Sequence, residues 1–147
     1  MAWAAGILPV AVHRGVPMVL LGRDHASKGG KWSDFAGGGE ACDPSPRHTA
    51  LRELSEETGG TVALRLDDLD RALTFHSTTP SGKTMYRFIV AVPYDESVPL
   101  SFKGAHNDEK VALGWFPLAC LPPLRRVFWL QMRQDGHAIA DFVKQTL

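Results

Sequence analysis

Three glutamates, Glu53, Glu56 and Glu57, stand at i, i+3 and i+4 in the segment Arg52-Glu53-Leu54-Ser55-Glu56-Glu57. On a helix that spacing puts all three carboxylates on one face. Carboxylates crowded on one stripe repel each other unless a cation sits among them, and a divalent metal meets that need. The flanking residues predict the helix. Ser45 is suited to the N-cap, Pro46 to the first helical position, and Gly59 and Gly60 to a left-handed stop. Ala50, Leu51, Leu54 and Thr58 fall on the opposite, mostly apolar side, which must be buried if the glutamates are to be held still.

Ligand hardness narrows the ion. Oxygen-only ligands suit Mg²⁺, Mn²⁺ or Ca²⁺, whereas zinc would usually bring histidine or cysteine. Mg²⁺ is typically held by a few carboxylates together with phosphate oxygens of a substrate, so a phosphorylated substrate is expected. Arg52 lies beside Glu56 on the helical wheel and is placed to pin a carboxylate through a bidentate pair. A glutamate-rich hexamer by itself is also an ordinary solvated helix face. The weight falls on the glycine-rich entry, cap, carboxylate spacing and terminal glycines taken together.

From Gly38 to Gly60 that combination resembles the Nudix box: Gly38, then Arg52-Glu53-Leu54, then Glu56-Glu57 and Gly59. Two positions depart from the pattern. Pro44 stands where the family carries a further glutamate, and Gly60 where it ends in a bulky aliphatic residue. Asp43 or Glu40 is expected to supply the missing carboxylate. The resemblance implies an α/β fold, an α/β/α sandwich around a mixed β-sheet with a catalytic loop-helix-loop. It also implies Mg²⁺, with Mn²⁺ able to substitute, held by Gly38, Glu53, Glu56 and Glu57.

The rest of the chain must position this helix. Trp3–His13 and Pro17–Gly22 read as two strands joined at Arg14-Gly15-Val16, with Pro9 marking a bulge or local edge. Arg23 to Lys31 is a polar, basic loop from which Arg23, Lys28 or Lys31 can reach phosphates. Trp32 to Ala36 alternates as a strand leading into the glycines. After the helix, Thr61–Leu66 is β-prone and Asp67–Asp70 an acidic turn. Arg71–Thr78 and Thr84–Val92 read as paired strands, the second covered on both faces. Pro93–Ala105 is irregular, Asn107–Ala112 leads into a strand at Trp115–Leu118, and Leu124–Met132 and His137–Val143 have helical apolar spacing. No repeat or linker interrupts residues 1–147, which are expected to form a single domain.

Composition excludes some classes. The chain has 147 residues, 44% of them hydrophobic, and its 16 basic side chains balance 16 acidic ones. Zero net charge argues against grip on nucleic acid by bulk electrostatics. Two cysteines, Cys42 and Cys120, build neither a disulfide framework nor a zinc motif. No run approaches the ~20 apolar residues of a membrane span, and no signal peptide is evident, so a cytoplasmic protein without membrane contact is expected.

The chemistry anticipated is metal-assisted hydrolysis of a phosphoanhydride. Glu56 and Glu57 are the expected metal ligands, with Glu53 a ligand or the group that orients water. The resemblance adds Glu109, upstream of Trp115, as a distal ligand or general base, with Asp108 as fallback, and Arg52 as the orienting cation. Arg87, beside Lys83, is a candidate for substrate contact. Substrates open at this stage are a nucleoside triphosphate, dinucleoside polyphosphate, nucleotide sugar, capped RNA or diphosphoinositol polyphosphate. A nucleotide-binding sensor without turnover is the rival class, and monomer and homodimer are both open.

Overall fold

A computed structural model describes residues 2–105 and 109–146. His106, Asn107 and the fallback carboxylate Asp108 lie outside the described residues. Strand β1 (Trp3–His13) turns into β2 (Val16–Asp24) through Arg14 and Gly15. Both turn residues have positive φ, 51° and 79°, the geometry whose twist matches a two-residue hairpin. Two short strands follow, β3 (Trp32–Ser33) and β4 (Phe35–Gly38). Helix α1 (Pro46–Glu57) comes next. The chain continues through β5 (Leu73–Thr78), β6 (Thr84–Ala91), the short α2 (Ser97–Ser101), β7 (Lys110–Pro117) and α3 (Arg126–Gln145).

The strands form one mixed sheet. β1 and β6 run parallel, and the other pairs are antiparallel. β1 and β2 pair only at the hairpin end, Val10–His13 against Val16–Val19. Beyond it they fork, with β4 pairing β1 at Ala4–Ile7 and β3 pairing β2 at Gly22–Arg23. The expected single strand over Trp32–Ala36 is therefore two, split at Asp34, because each half follows a different arm of the fork. Leu8 and Pro9 fall between the two registers, so proline's missing N–H sits beside a local edge, as its sequence context predicts.

Alternation along the strands feeds a core on each face. Ala5, Ile7, Leu20, Phe35, Phe88 and Val90 meet Ala50 and Leu54 of α1. Leu8, Val10, Val19, Leu21 and Ile89 meet Phe128, Met132, Ile139 and Val143 of α3. The expected sandwich of helix, mixed sheet and helix is the one found.

Local expectations differ in three places. Thr61–Leu66 forms no strand; the acidic turn is instead a 3-10 helix, Leu66–Arg71, in which Asp68 accepts from the Arg65 N–H (2.7 Å) and Leu69 is buried. Pro93–Ala105 contains α2, just ahead of which Asp95 accepts from the Ser97 N–H at 2.9 Å. The two C-terminal helical stretches are one helix that runs through Gly136, since the apolar stripe on either side packs on one sheet face and outweighs a single glycine.

Candidate active site

Helix α1 begins as its sequence predicts. Ser45 is the N-cap, Pro46 opens the first turn, and Gly59 (φ 60°) and Gly60 (φ 77°) end it in the left-handed region. With Ala50 and Leu54 fixed in the core, the carboxylate stripe is turned toward the β3–β4 fork. Glu53 and Glu57 are themselves buried, at 8% and 3% exposure. Glu109, just before β7, joins them: one oxygen from each of Glu53, Glu57 and Glu109 lies within 4.8 Å of the others.

Glu56 sits differently. Its Oε2 accepts from Arg52 Nη1 at 3.2 Å, and it stands at the edge of the group. Arg52 is the hub beneath. Its Nε and Nη2 bind the two oxygens of Asp43 (3.0 and 2.9 Å), Nη1 also donates to Glu53 Oε1 (3.1 Å), and Nη2 donates to the Gly38 carbonyl (3.1 Å). Of the two carboxylates expected to substitute at Pro44, Asp43 makes this bidentate contact with Arg52, while Glu40 stands farther off, 3.6 Å away. Thr49 Oγ1 and the Glu40 N–H also donate to Asp43. The guanidinium holds the Asp43 carboxyl far below the usual carboxylate range.

Burial pushes the Glu57 carboxyl up to about 10, against the opposing pull of Lys110, and raises Glu53 as well. Glu57 Oε2 is buried without a hydrogen-bond partner. A hard dication fits this donor set: it would satisfy that oxygen and relieve three converging carboxylates, using oxygen ligands alone. Gly37 completes the fit, because a Cβ there would lie 2.3 Å from the Glu53 carboxyl carbon. Gly37→Ala is expected to leave the fold intact, since the obstructed group is a side-chain end, and to weaken Mn²⁺ binding tenfold or more. Mn²⁺ titration beside a thermal melt checks both.

Burial lifts the Glu57 carboxyl from its ordinary 4.5 to about 10 in the folded, metal-free protein. Between those values the folded state holds more protons, so metal-free stability falls as pH rises, by at most about 1.4 kcal/mol per pH unit for one group. Denaturation in EDTA from pH 5 to 9 is expected to show this decline, and added Mn²⁺ to flatten it.

Glu57 and Glu109 line one side of a cleft of about 430 Å³. Lys28, Lys83, Arg87, Lys110 and Arg125 line it, with Gly37 and Gly38 beside the acids. Arg87 reaches it from the buried floor, held by Asp34 (3.0 Å) and Gln131 (3.1 Å). Neither Arg23 nor Lys31 lines the cleft: Arg23 Nε braces the Gly30 carbonyl (3.0 Å), tightening the loop that carries Lys28, and Lys31 is exposed. Sequence reasoning missed the buried polar residues Asp24, Ser33, Asp34 and Lys110, and also Arg125. The available signal was a charge interrupting an apolar stretch, as at Asp34; Lys110, at the start of β7 after Asn107-Asp108-Glu109, offered none.

A NUDIX domain family model matches residues 2–134. The chain belongs to the Nudix family. Solved structures similar to it include the NUDIX domain of Shewanella oneidensis NrtR complexed with ADP ribose, at 19% identity and TM-score 0.65, covering 95% of this chain and 88% of that one. A C. elegans Ap4A hydrolase binary complex is similar at 16% identity and TM-score 0.56, covering 81% and 82%. A mutT/nudix family protein from Listeria innocua is similar at 20% identity and TM-score 0.59, covering 95% and 94%. A search of curated proteins finds no match. These structural likenesses show the Nudix fold, and no described helix is long and apolar enough to cross a membrane.

Proposed function

We propose that this Nudix protein is a divalent-metal-dependent pyrophosphohydrolase that opens a phosphoanhydride in a nucleoside diphosphate linked to another moiety. One observation carries the proposal: Glu53, Glu57 and Glu109 converge beside a cation-lined cleft, with a Glu57 oxygen buried and unsatisfied. Glu53 and Glu57 would hold Mg²⁺ or Mn²⁺, with Glu109 a third ligand or the general base and Glu56 at the margin. When bound, the ion would neutralise phosphate charge and acidify water. Lys28, Lys83 and Arg125 would bind the diphosphate, and Arg87, fixed by Asp34, would contact the group beyond it. Glu109, the least buried of the three acids, would take the proton from the attacking water. Arg52 would keep Glu53 and Glu56 aimed without touching substrate.

The ADP ribose bound in one similar structure and the Ap4A hydrolase named for another make ADP-ribose and Ap4A, with ATP, the first substrates to try. Against the sensor reading stands the Asp43–Arg52 pair, which gives Arg52 a bidentate carboxylate partner despite Pro44. The test is incubation of the three nucleotides with Mg²⁺, Mn²⁺ or EDTA in ¹⁸O-water, with products read by mass spectrometry. Metal-dependent release of a nucleotide carrying one ¹⁸O, or of its labelled partner phosphate, is expected. Tight nucleotide binding without turnover of any member would favour a sensor instead. A cytoplasmic location for one catalytic domain accords with the expected substrates.

A further inference from the structure

Lys110 has no part in the scheme above, yet it is the most buried lysine environment in the cleft, at 3% exposure. Its Nζ donates to Asp24 Oδ1 (2.7 Å) and Ser33 Oγ (2.8 Å), and lies 3.5 Å from the Gly22 carbonyl. The side chain passes so close under Gly22 that a Cβ there would lie 2.9 Å from Lys110 Cδ. One ammonium therefore ties β7 to β2 and β3 at the mouth of the fork. The register slips at this point, where Asp24 faces Lys110 but Arg23 faces Ala112. Ladder pairing alone is thus interrupted where Glu109 must be placed, and the only described backbone bond holding Glu109 is a long one, His25 N–H to its carbonyl at 3.3 Å. The same ammonium stands 3.8 Å from Glu57 Oε1, leaving Oε2 as the unsatisfied oxygen.

We propose that Lys110 is a positioning residue that, anchored on Asp24 and Ser33, sets Glu109 against Glu57 for metal binding. The inference rests on the metal-binding reading given above. Its shortest contacts, to Asp24 and Ser33, fix where the side chain lies, and from there its charge also faces Glu57.

The charge match supplies the test. Lys110→Met combined with Asp24→Asn removes one positive and one negative charge together, so net charge is kept and Asp24 is not left as a buried, unmatched carboxylate. Mn²⁺ dissociation constants are read by electron paramagnetic resonance for wild type, the paired variant, Glu109→Gln, and all three substitutions combined. A circular-dichroism melt verifies that each is folded. The paired variant is expected to bind Mn²⁺ tenfold or more weakly, and Glu109→Gln to add less than twofold on that background, because the two losses are one. Ser33→Ala, which removes a single anchor, gives the same non-additivity with a smaller loss and serves if the paired variant does not fold. Wild-type affinity in both variants, or losses that multiply in full with Glu109→Gln, would overturn the role of Lys110. A wild type that binds no Mn²⁺ would instead overturn the metal-binding reading on which it rests.

Discussion

Glu57→Gln is expected to lower metal-dependent kcat/KM by more than about a hundredfold, beyond the 10- to 100-fold typical when a group merely supporting a ligand is lost. Glutamine keeps the shape but removes the anionic oxygen that the fold buries without a partner. The metal-free protein should meanwhile become more stable than wild type at pH 8. Wild type must there either retain a proton against the bulk pH or bury a charge, and glutamine does neither. Loss of Mn²⁺ binding together with a raised melting temperature in EDTA is a pairing that simple misfolding cannot give. Glu56→Gln should cost less, since Glu56 is held at the margin by Arg52. Equal losses at both positions would mean that the ion sits nearer Arg52 than the described convergence of Glu53, Glu57 and Glu109.

What could be read from sequence divides by range. The helix was legible because its cap, stop and apolar side are all local: Ser45, Gly59, Ala50 and Leu54 each state their role within a turn or two. The sandwich was legible from the family resemblance and from the Thr84–Val92 strand being apolar on both faces; that β1 and β2 also feed both cores needed the fold. The fork was not. Whether Asp34 interrupts one strand or joins two depends on β1 and β2 parting, which is a long-range event. The same limit hid Lys110, whose partners Asp24 and Ser33 are distant in sequence. Arg23 and Lys31 were attractive as loop cations, but the tight turn at Gly29 and Gly30 directs Lys28 to the cleft instead. Asp43 was foreseeable as a substitute for the missing glutamate only from the family pattern; its bidentate hold on Arg52 needed the fold.

Arg52→Met is expected to destabilise the protein by about 2–3 kcal/mol, below the 3–5 kcal/mol of a fully interior pair because the guanidinium keeps 19% of its surface in water. For a domain of this size that is on the order of a 5–10 °C fall in melting temperature. The main cost is Asp43, left as a buried carboxylate with Thr49 Oγ1, the Glu40 N–H and the weak Cys42 thiol donor to compensate it. The acid response gives the sign. With its folded pKa depressed below the ordinary 3.8, wild-type Asp43 contributes stability above that value and loses it as pH falls through the folded one. Without Arg52 that contribution is gone, so the variant should lose less stability than wild type between pH 5 and 2. Adding Asp43→Asn should restore much of the melting temperature, because no buried charge is then unmatched. It should not restore Mn²⁺ affinity, because Glu53, Glu56 and the Gly38 carbonyl still lack the cation that holds them in register. Recovery of both together would mean that Arg52 supports the fold alone; recovery of stability without affinity separates its work at the metal site from its work in the scaffold.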